Sequence, residues 1–278
     1  MDYKLPKRFE NSHKGTYGRV LNFAGSDYMP GAAYLSSVSA LKIGCGYCFL
    51  CSTDRVINIV ATKAHNVVFL PHSKLFDNLD TFDVVEVGCG LSQGVEYKNL
   101  LENLLSKLRK DIPLLVDADG INIIANNPEI LLKYHFKNVV LTPHPQEAAR
   151  LLNCSVEEIL SDTKASAQKI SQKYNCITVL KTHRTVVVNP SGEIYENTTG
   201  NSAMAKAGSG DVLAGMISGL IAQGMNIFEG ACLGVYLHGL CGDIARDKLT
   251  EYSVLAEDLI THIPDAIKVL QSKDSENK

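Results

Sequence analysis

The chain has 278 residues, 45% of them apolar and 21% charged, an ordinary globular balance that excludes a disordered or fibrous protein. A formal net charge of −3 and a pI near 6.2 leave no electrostatic footprint for a nucleic acid or an anionic membrane surface, so any anionic ligand must find a local positive site. Met1 to Gly15 lacks the apolar core of a signal peptide, and no later window is long and apolar enough to span a bilayer, so the expected compartment is the cytoplasm.

After a polar N-terminal arm over residues 1–12, Arg19 to Ala24 is a short apolar run that breaks at Gly25-Ser26-Asp27, the pattern of a strand entering a loop. Gly31 to Lys42 carries apolar residues at helical spacing, and Gly46 to Cys51 reads as a second strand. Eight cysteines invite a disulfide or zinc reading, but they lie in apolar runs with no second pair at ligand spacing, so packing is the expectation. Alternation along that strand places Cys48 on the opposite side from Cys45 and Cys51. A helical stretch from Asp54 to Ala64 precedes an extended Asn66 to Leu70. The alternation continues through a strand at Asp83 to Gly88, a helix from Val95 to Lys110, and strands at Pro113 to Asp117 and Asn138 to Thr142.

Strands this apolar on both faces belong to a mostly parallel sheet covered by helices on each side, a layered α/β sandwich. From Cys176 the pattern changes: Ile177 to Lys181, Thr185 to Val188 and Glu193 to Tyr195 follow closely, with Asn189-Pro190-Ser191-Gly192 as a turn, which predicts antiparallel strands at one edge. Two long apolar helices follow, Asp211 to Gln223 and Ile227 to Arg246, and the polar tail from Gln271 to Lys278 is expected to be disordered. No linker or internal repeat interrupts the chain, so 1–278 reads as a single domain.

Ligands of open parallel sheets gather beyond the carboxyl ends of the strands. Five polar or glycine-rich clusters lie there: Gly25-Ser26 with Gly31, Gly88-Cys89-Gly90, Asp117 to Asn122, Thr142 to Pro145, and Asn201 to Asp211. In the last, Ala207-Gly208-Ser209-Gly210-Asp211 opens a strongly apolar helix, where small residues and a helix N-terminus suit a phosphate. Asp211 is either a helix cap or a base that accepts a hydroxyl proton during phosphoryl transfer. His144, held between two prolines at a strand end, is either structural or functional. Asp117 and Asp119 either ligate magnesium through water or cap the following helix. Lys181 with Thr182, His183, Arg184 and Thr185 either contacts a nucleotide phosphate or simply forms a hairpin.

Taken in order, these clusters resemble the ADP- or ATP-dependent NAD(P)H-hydrate dehydratase family of the ribokinase-like superfamily. The matching segments are His13 to Gly18, Ala24-Gly25-Ser26, Asp117-Ala118-Asp119 with Asn122, Thr142-Pro143-His144-Pro145 with Glu147, Gly200-Asn201 through Gly208-Ser209-Gly210-Asp211, and Tyr236-Leu237-His238-Gly239. The resemblance runs from about Lys7 to Ile267. It implies a three-layer ribokinase-like sandwich and repair of the S epimer of hydrated NADH or NADPH. ADP or ATP phosphorylates the ring hydroxyl, and phosphate then leaves. It further implies Asp211 as the base, Gly208 and Gly210 at phosphate and nucleotide, Lys181 to Thr185 at the nucleotide, and His144 with Gly90 and Ala32 at the hydrated cofactor. Asn122 and Asn201 join the ligand-binding set, and magnesium is expected against the polyphosphate charge. A homotetramer is implied, as is a separate epimerase, since the chain has no room for the epimerase domain often fused to this unit.

Three positions depart from the family pattern. Cys89 replaces a proline between two glycines, Thr182 replaces a glycine after Lys181, and Ala207 replaces the first of two glycines before Ser209-Gly210-Asp211. Two other readings remain: a ribokinase-like kinase of a vitamin precursor, against which the His144 and Asn201 segments argue, and a nucleotide-binding regulator without turnover, against which Asp211 argues.

Overall fold

The computed structural model describes residues 4–276; the first three residues of the N-terminal arm and the last two of the tail lie outside the described residues. Among the described residues, nine strands form one sheet in the order β3-β2-β1-β4-β5-β6-β7-β8-β9. They are β1 (Arg19–Phe23), β2 (Tyr47–Ser52), β3 (Val68–Pro71), β4 (Val84–Val87), β5 (Leu114–Val116), β6 (Val139–Leu141), β7 (Ile177–Leu180), β8 (Val186–Val188) and β9 (Ile194–Glu196). All pairings up to β6–β7 are parallel, and β7–β8 and β8–β9 are antiparallel, as the close spacing after Cys176 predicts.

The helices are α1 (Pro30–Lys42), α2 (Asp54–Ala61), α3 (Val95–Lys107), α4 (Ala118–Asn126), α5 (Glu129–Leu132), α6 (Pro145–Leu152), α7 (Val156–Ser161), α8 (Thr163–Tyr174), α9 (Ser209–Ala222), α10 (Ile227–Lys248), α11 (Ala256–Thr261) and α12 (Ile263–Glu276). Alternate strand residues face opposite layers. Leu21, Phe23, Val85, Val87, Leu114 and Val116 pack under α3 to α8. Val20, Cys48, Leu50, Val84, Leu115 and Val140 pack under α1, α2, α9 and α10, and a further apolar cluster joins α9 and α10 to α11 and α12.

Cys51 lies in the first layer as alternation requires, but Cys45 packs with Cys48 in the second. The reason is register: β2 starts at Tyr47, so Cys45 sits in the turn before it, where a period of two does not apply. At the other end of the chain, α12 runs on through Glu276, into the stretch whose polar composition suggests disorder. Its packed first turns, with Ile263, Ala266 and Leu270 buried, give the helix a docked start from which the polar turns propagate.

Strands β1 and β4 are neighbours although β2, β3 and their helices intervene in sequence, so the chain reverses direction of growth between them. At such a point the loops after the two strands splay apart and leave a crevice. Here the loop after β1 meets the loop after β4, with Gly25 N donating to the Cys89 carbonyl at 2.8 Å.

Candidate active site

Three polar side chains from distant segments meet at the carboxyl ends of β5, β6 and β7. Asp117, at the end of β5, is almost fully buried and pairs with Lys181, at the end of β7, with Nζ to Oδ1 at 2.5 Å. The same oxygen accepts from Thr142 Oγ1 at 2.6 Å. Burial opposes the charge on Lys181, but the carboxylates of Asp117 and Glu147 outweigh it and raise the ammonium pKa. Asp119 turns the other way and accepts from Ser92 N at 2.8 Å and Gln93 Nε2 at 2.9 Å, so it ties α4 to the loop after β4. Neither aspartate caps α4 with its side chain.

Asp211 stands in the first turn of α9, two residues inside a helix that begins at Ser209 rather than at Asp211 itself. Its carboxylate therefore is not the helix cap. Burial, reinforced by the charge of Asp117, pushes it up to about 6. The residue that caps the helix is Gly208, at φ 93, a left-handed conformation that glycine adopts without cost. A Cβ there would also lie 2.5 Å from Leu35 Cδ1 and 3.0 Å from Ala256 Cβ. The single glycine that the backbone needs is thus retained, and Ala207 faces a separate apolar cleft with Tyr34 and Leu35. Gly210 has helical φ, so no strain penalty attaches to it; a Cβ there would meet Lys181 Nζ at 3.3 Å.

Beside Asp211 lies a cleft of about 600 Å³ into which Ser209 and Gly210 open. His144, Lys181, Thr182, His183, Thr185 and Asn201 line it, so the structure brings together most of the residues singled out in the sequence. The segment Lys181 to Thr185 is both hairpin and wall: it joins β7 to β8, and Thr182 Oγ1 turns inward to donate to the Arg184 carbonyl at 2.7 Å. Arg184 and Asn122 are not part of the lining. Asn122 is buried on α4, where Oδ1 accepts from Arg150 at 2.6 Å. Ala32 and Gly90 also lie outside the cleft but next to each other, since a Cβ on Gly90 would come within 2.7 Å of the Ala32 methyl.

His144 has a definite local task. It caps α6, with Nδ1 accepting from Gln146 N at 3.1 Å and Glu147 N at 3.4 Å, while the Glu147 carboxylate accepts from His144 N at 2.9 Å. Nε2 then carries the proton and lies 3.2 Å from Glu147 Oε1. Burial and the Lys181 charge lower its pKa, so the ring is neutral. His144→Ala is expected to cost ~1 kcal/mol through the lost cap and, beyond that, to weaken the second substrate more than the nucleotide. Melting temperature and separate affinities for the two ligands check it; equal loss of both affinities leaves only the cap.

Behind Asp211, and not evident from the sequence, is a buried acid. Glu86 on β4 is fully buried, faces α9 and accepts from Ser218 Oγ. Cys89 Sγ lies between Glu86 Oε1 at 3.7 Å and Asp117 Oδ2 at 3.9 Å. Burial pushes Glu86 up to about 8. Its unfolded carboxyl titrates near ~4.3, so across the window from there to about 8 the folded state keeps a proton that the unfolded state has lost, and stability falls as pH rises. Glu86→Gln cannot ionise. Its melting temperature is expected to gain on wild type progressively from pH 5 to 8, and parallel curves would refute a neutral Glu86. The only signal in the sequence is a lone acid in the run Val84-Val85-Glu86-Val87.

Among the described residues, Cys89, Asp117 and Asp211 are three potential metal ligands whose donor atoms lie within 4.8 Å of one another. Both oxygens of Asp119 and one of Asp117 are already engaged, and a protonated thiol is a poor magnesium ligand. The donor set is too sparse to cage a magnesium ion by itself; Asp117 and Asp211 are the carboxylates that would face one.

Fold and site together define a ribokinase-like α/β protein with a glycine-capped turn and a carboxyl whose pKa is raised toward neutrality at the head of one helix. The family model of the NAD(P)H-hydrate dehydratases matches residues 20–265, and the chain belongs to that family. It is 37% identical to the ADP-dependent (S)-NAD(P)H-hydrate dehydratase of Neisseria meningitidis over 86% of this chain and 81% of that protein. The crystal structure of the ADP/ATP-dependent NAD(P)H-hydrate dehydratase of Bacillus subtilis, co-crystallised with ATP/Mg2+, superposes with a TM-score of 0.86 at 31% identity, covering 96% of this chain and 94% of that one. Against the bifunctional NAD(P)H-hydrate repair enzyme of Moorella thermoacetica, 37% identical, the match takes in 97% of this chain but only 53% of the relative. The chain thus spans about half the length of such bifunctional relatives.

Proposed function

We propose that the protein returns the S epimer of hydrated NADH or NADPH to the native cofactor at the expense of ADP or ATP. The observation that carries this reading is Asp211, a carboxyl at about 6 placed in the first turn of a helix whose leading residues open into a cleft. The nucleotide lies in that cleft with its terminal phosphate at Ser209 and Gly210, where backbone N–H groups and the helix dipole favour an anion. Lys181, held by Asp117, adds a fixed positive charge. The hydrated ring lies over Gly90 and Ala32, in the crevice between the loops after β1 and β4. Asp211 accepts the ring hydroxyl proton as that oxygen attacks the terminal phosphorus and the nucleotide leaves with one phosphate fewer. The C–O bond then breaks, phosphate departs, and loss of the neighbouring C–H proton restores the ring double bond. Magnesium, when bound, neutralises the polyphosphate.

Purified protein with hydrated NADH, magnesium and either ADP or ATP tests this directly. The expected result is one phosphate released per NADH formed, read as dihydropyridine absorbance. A kinase of the same fold would consume nucleotide and release no phosphate, and a regulator would bind nucleotide without consuming it. The enzyme works as a cytoplasmic homotetramer alongside an epimerase that supplies the S form.

A further inference from the structure

The segment from Asn197 to Asp211 wraps one side of the nucleotide cleft, and α10 lies behind it. Val235, His238 and Gly239 of α10 reach the cleft themselves. The segment lies flush on the helix because Gly239 has no side chain: a Cβ there would come within 2.8 Å of the Thr199 carbonyl oxygen. Thr199 Oγ1 in turn donates to the Tyr236 carbonyl at 2.8 Å.

Two polar side chains of α10 fasten this segment at separate points. Asp243 accepts from Gly200 N at 3.0 Å and from Asn201 Nδ2 at 2.8 Å, while Asn201 Oδ1 accepts from Ala203 N at 3.0 Å. Asn201, which lines the cleft, is thereby fixed in orientation by a carboxylate behind it. Further along, His238 Nε2 lies 2.9 Å from the Ser209 carbonyl and 3.4 Å from its hydroxyl. His238 is 8% exposed, and burial pulls its pKa down to about 4, so the ring is neutral and its N–H donates to the carbonyl. Ser209 begins α9 and stands two residues before Asp211.

We propose that His238 and Asp243 are positioning residues for phosphoryl transfer, which together set, from one helix, the spacing between the phosphate turn and the Gly200–Asn201 stretch of the cleft wall. The physical need is clear: the benefit of backbone N–H groups to a phosphate falls steeply with distance, and a small misplacement of a base costs rate out of proportion. Asp243 acts on the wall alone, whereas His238 acts on the turn that also carries Asp211. The two therefore differ in what they govern. Asp243 sets nucleotide affinity, and His238 sets affinity and turnover together. This rests on the reading that the cleft takes a nucleoside di- or triphosphate.

The test uses the full chain with Asp243→Asn, His238→Leu and His238→Gln, the last placing an amide nitrogen where Nε2 stands. Calorimetric titration with magnesium and ADP or ATP is paired with steady-state kinetics, with circular dichroism to establish folding. Asp243→Asn is expected to raise nucleotide Kd and KM about tenfold with kcat within about threefold, the scale of one lost charge-assisted hydrogen bond. His238→Leu is expected to lower kcat about tenfold as well, and His238→Gln to recover most of that loss with an unchanged pH profile. The proposal is overturned if Asp243→Asn binds nucleotide within twofold of wild type, if His238→Gln is no better than His238→Leu, or if its pH profile shifts. A wild-type chain that binds neither nucleotide refutes the nucleotide reading itself; equal binding by wild type and variants refutes only the positioning roles.

Discussion

Asp211→Asn is expected to lower kcat by about three orders of magnitude, the range of a lost general base, while ADP and ATP still bind. The amide preserves the shape of the carboxylate and removes both its charge and its proton affinity. Charge removal beside the phosphates should leave nucleotide affinity equal or tighter, which separates this outcome from a collapse of the site. The pH profile adds a second readout. With Asp211 at about 6, kcat/KM of the wild-type enzyme is expected to fall as pH drops through that value, because the protonated carboxyl cannot accept the hydroxyl proton. That acid limb should vanish in the residual activity of the variant. A variant retaining wild-type turnover would reduce Asp211 to a bystander in the first turn of α9.

Lys181→Met is the second large effect, and it concerns the fold as much as the chemistry. The ion pair with Asp117 is nearly dry, with side-chain exposures of 18% and 2%. Removing one partner leaves an uncompensated buried charge, a loss of about 3–5 kcal/mol. Thr142 still donates to Asp117, so the cost falls short of full exposure of a naked carboxylate. Adding Asp117→Asn to Lys181→Met should restore much of the stability, because the double variant no longer buries a lone charge. Nucleotide affinity should stay low in both, since neither supplies a cation at the phosphates. Denaturant unfolding of wild type, both single variants and the double variant checks the cycle. A double variant as unstable as Lys181→Met would place the loss in packing instead.

The layers of the fold were legible because their cause is local. Apolar runs such as Val84 to Val87 and Leu114 to Val116 announce buried strands, and the turn Asn189 to Gly192 announces a hairpin. The start of α9 was legible because small residues ahead of an apolar run mark a helix N-terminus, although the helix begins at Ser209 rather than at Asp211. What escaped depends on pairing over distance. Nothing near Asp117 indicates that its partner is Lys181, and nothing near Gly200 or Asn201 indicates Asp243 on a later helix. Helices α6 to α8, between the strand at Asn138 to Thr142 and the run from Cys176, have no counterpart among the elements read from hydrophobic spacing; it is their capping residues, His144, Ser155 and Asp162, that carry the signal. At His144 this reverses the emphasis: proline flanks suggest a presented side chain, whereas the ring is first of all a cap.

The strand order also sets a timetable for folding. β1 takes its first neighbour, β2, after one helical crossover, but its other neighbour, β4, begins only at Val84, once β3 has already extended the sheet on the far side. Until β4 arrives, β1 keeps one side of its backbone unsatisfied, and the apolar layers above and below it have nothing to close against. Contacts of such long sequence separation form slowly and expose sticky strand edges meanwhile. The crevice proposed to receive substrate therefore lies along a seam of long sequence separation, and refolding rate, more than final stability, is expected to be sensitive to substitutions in β4.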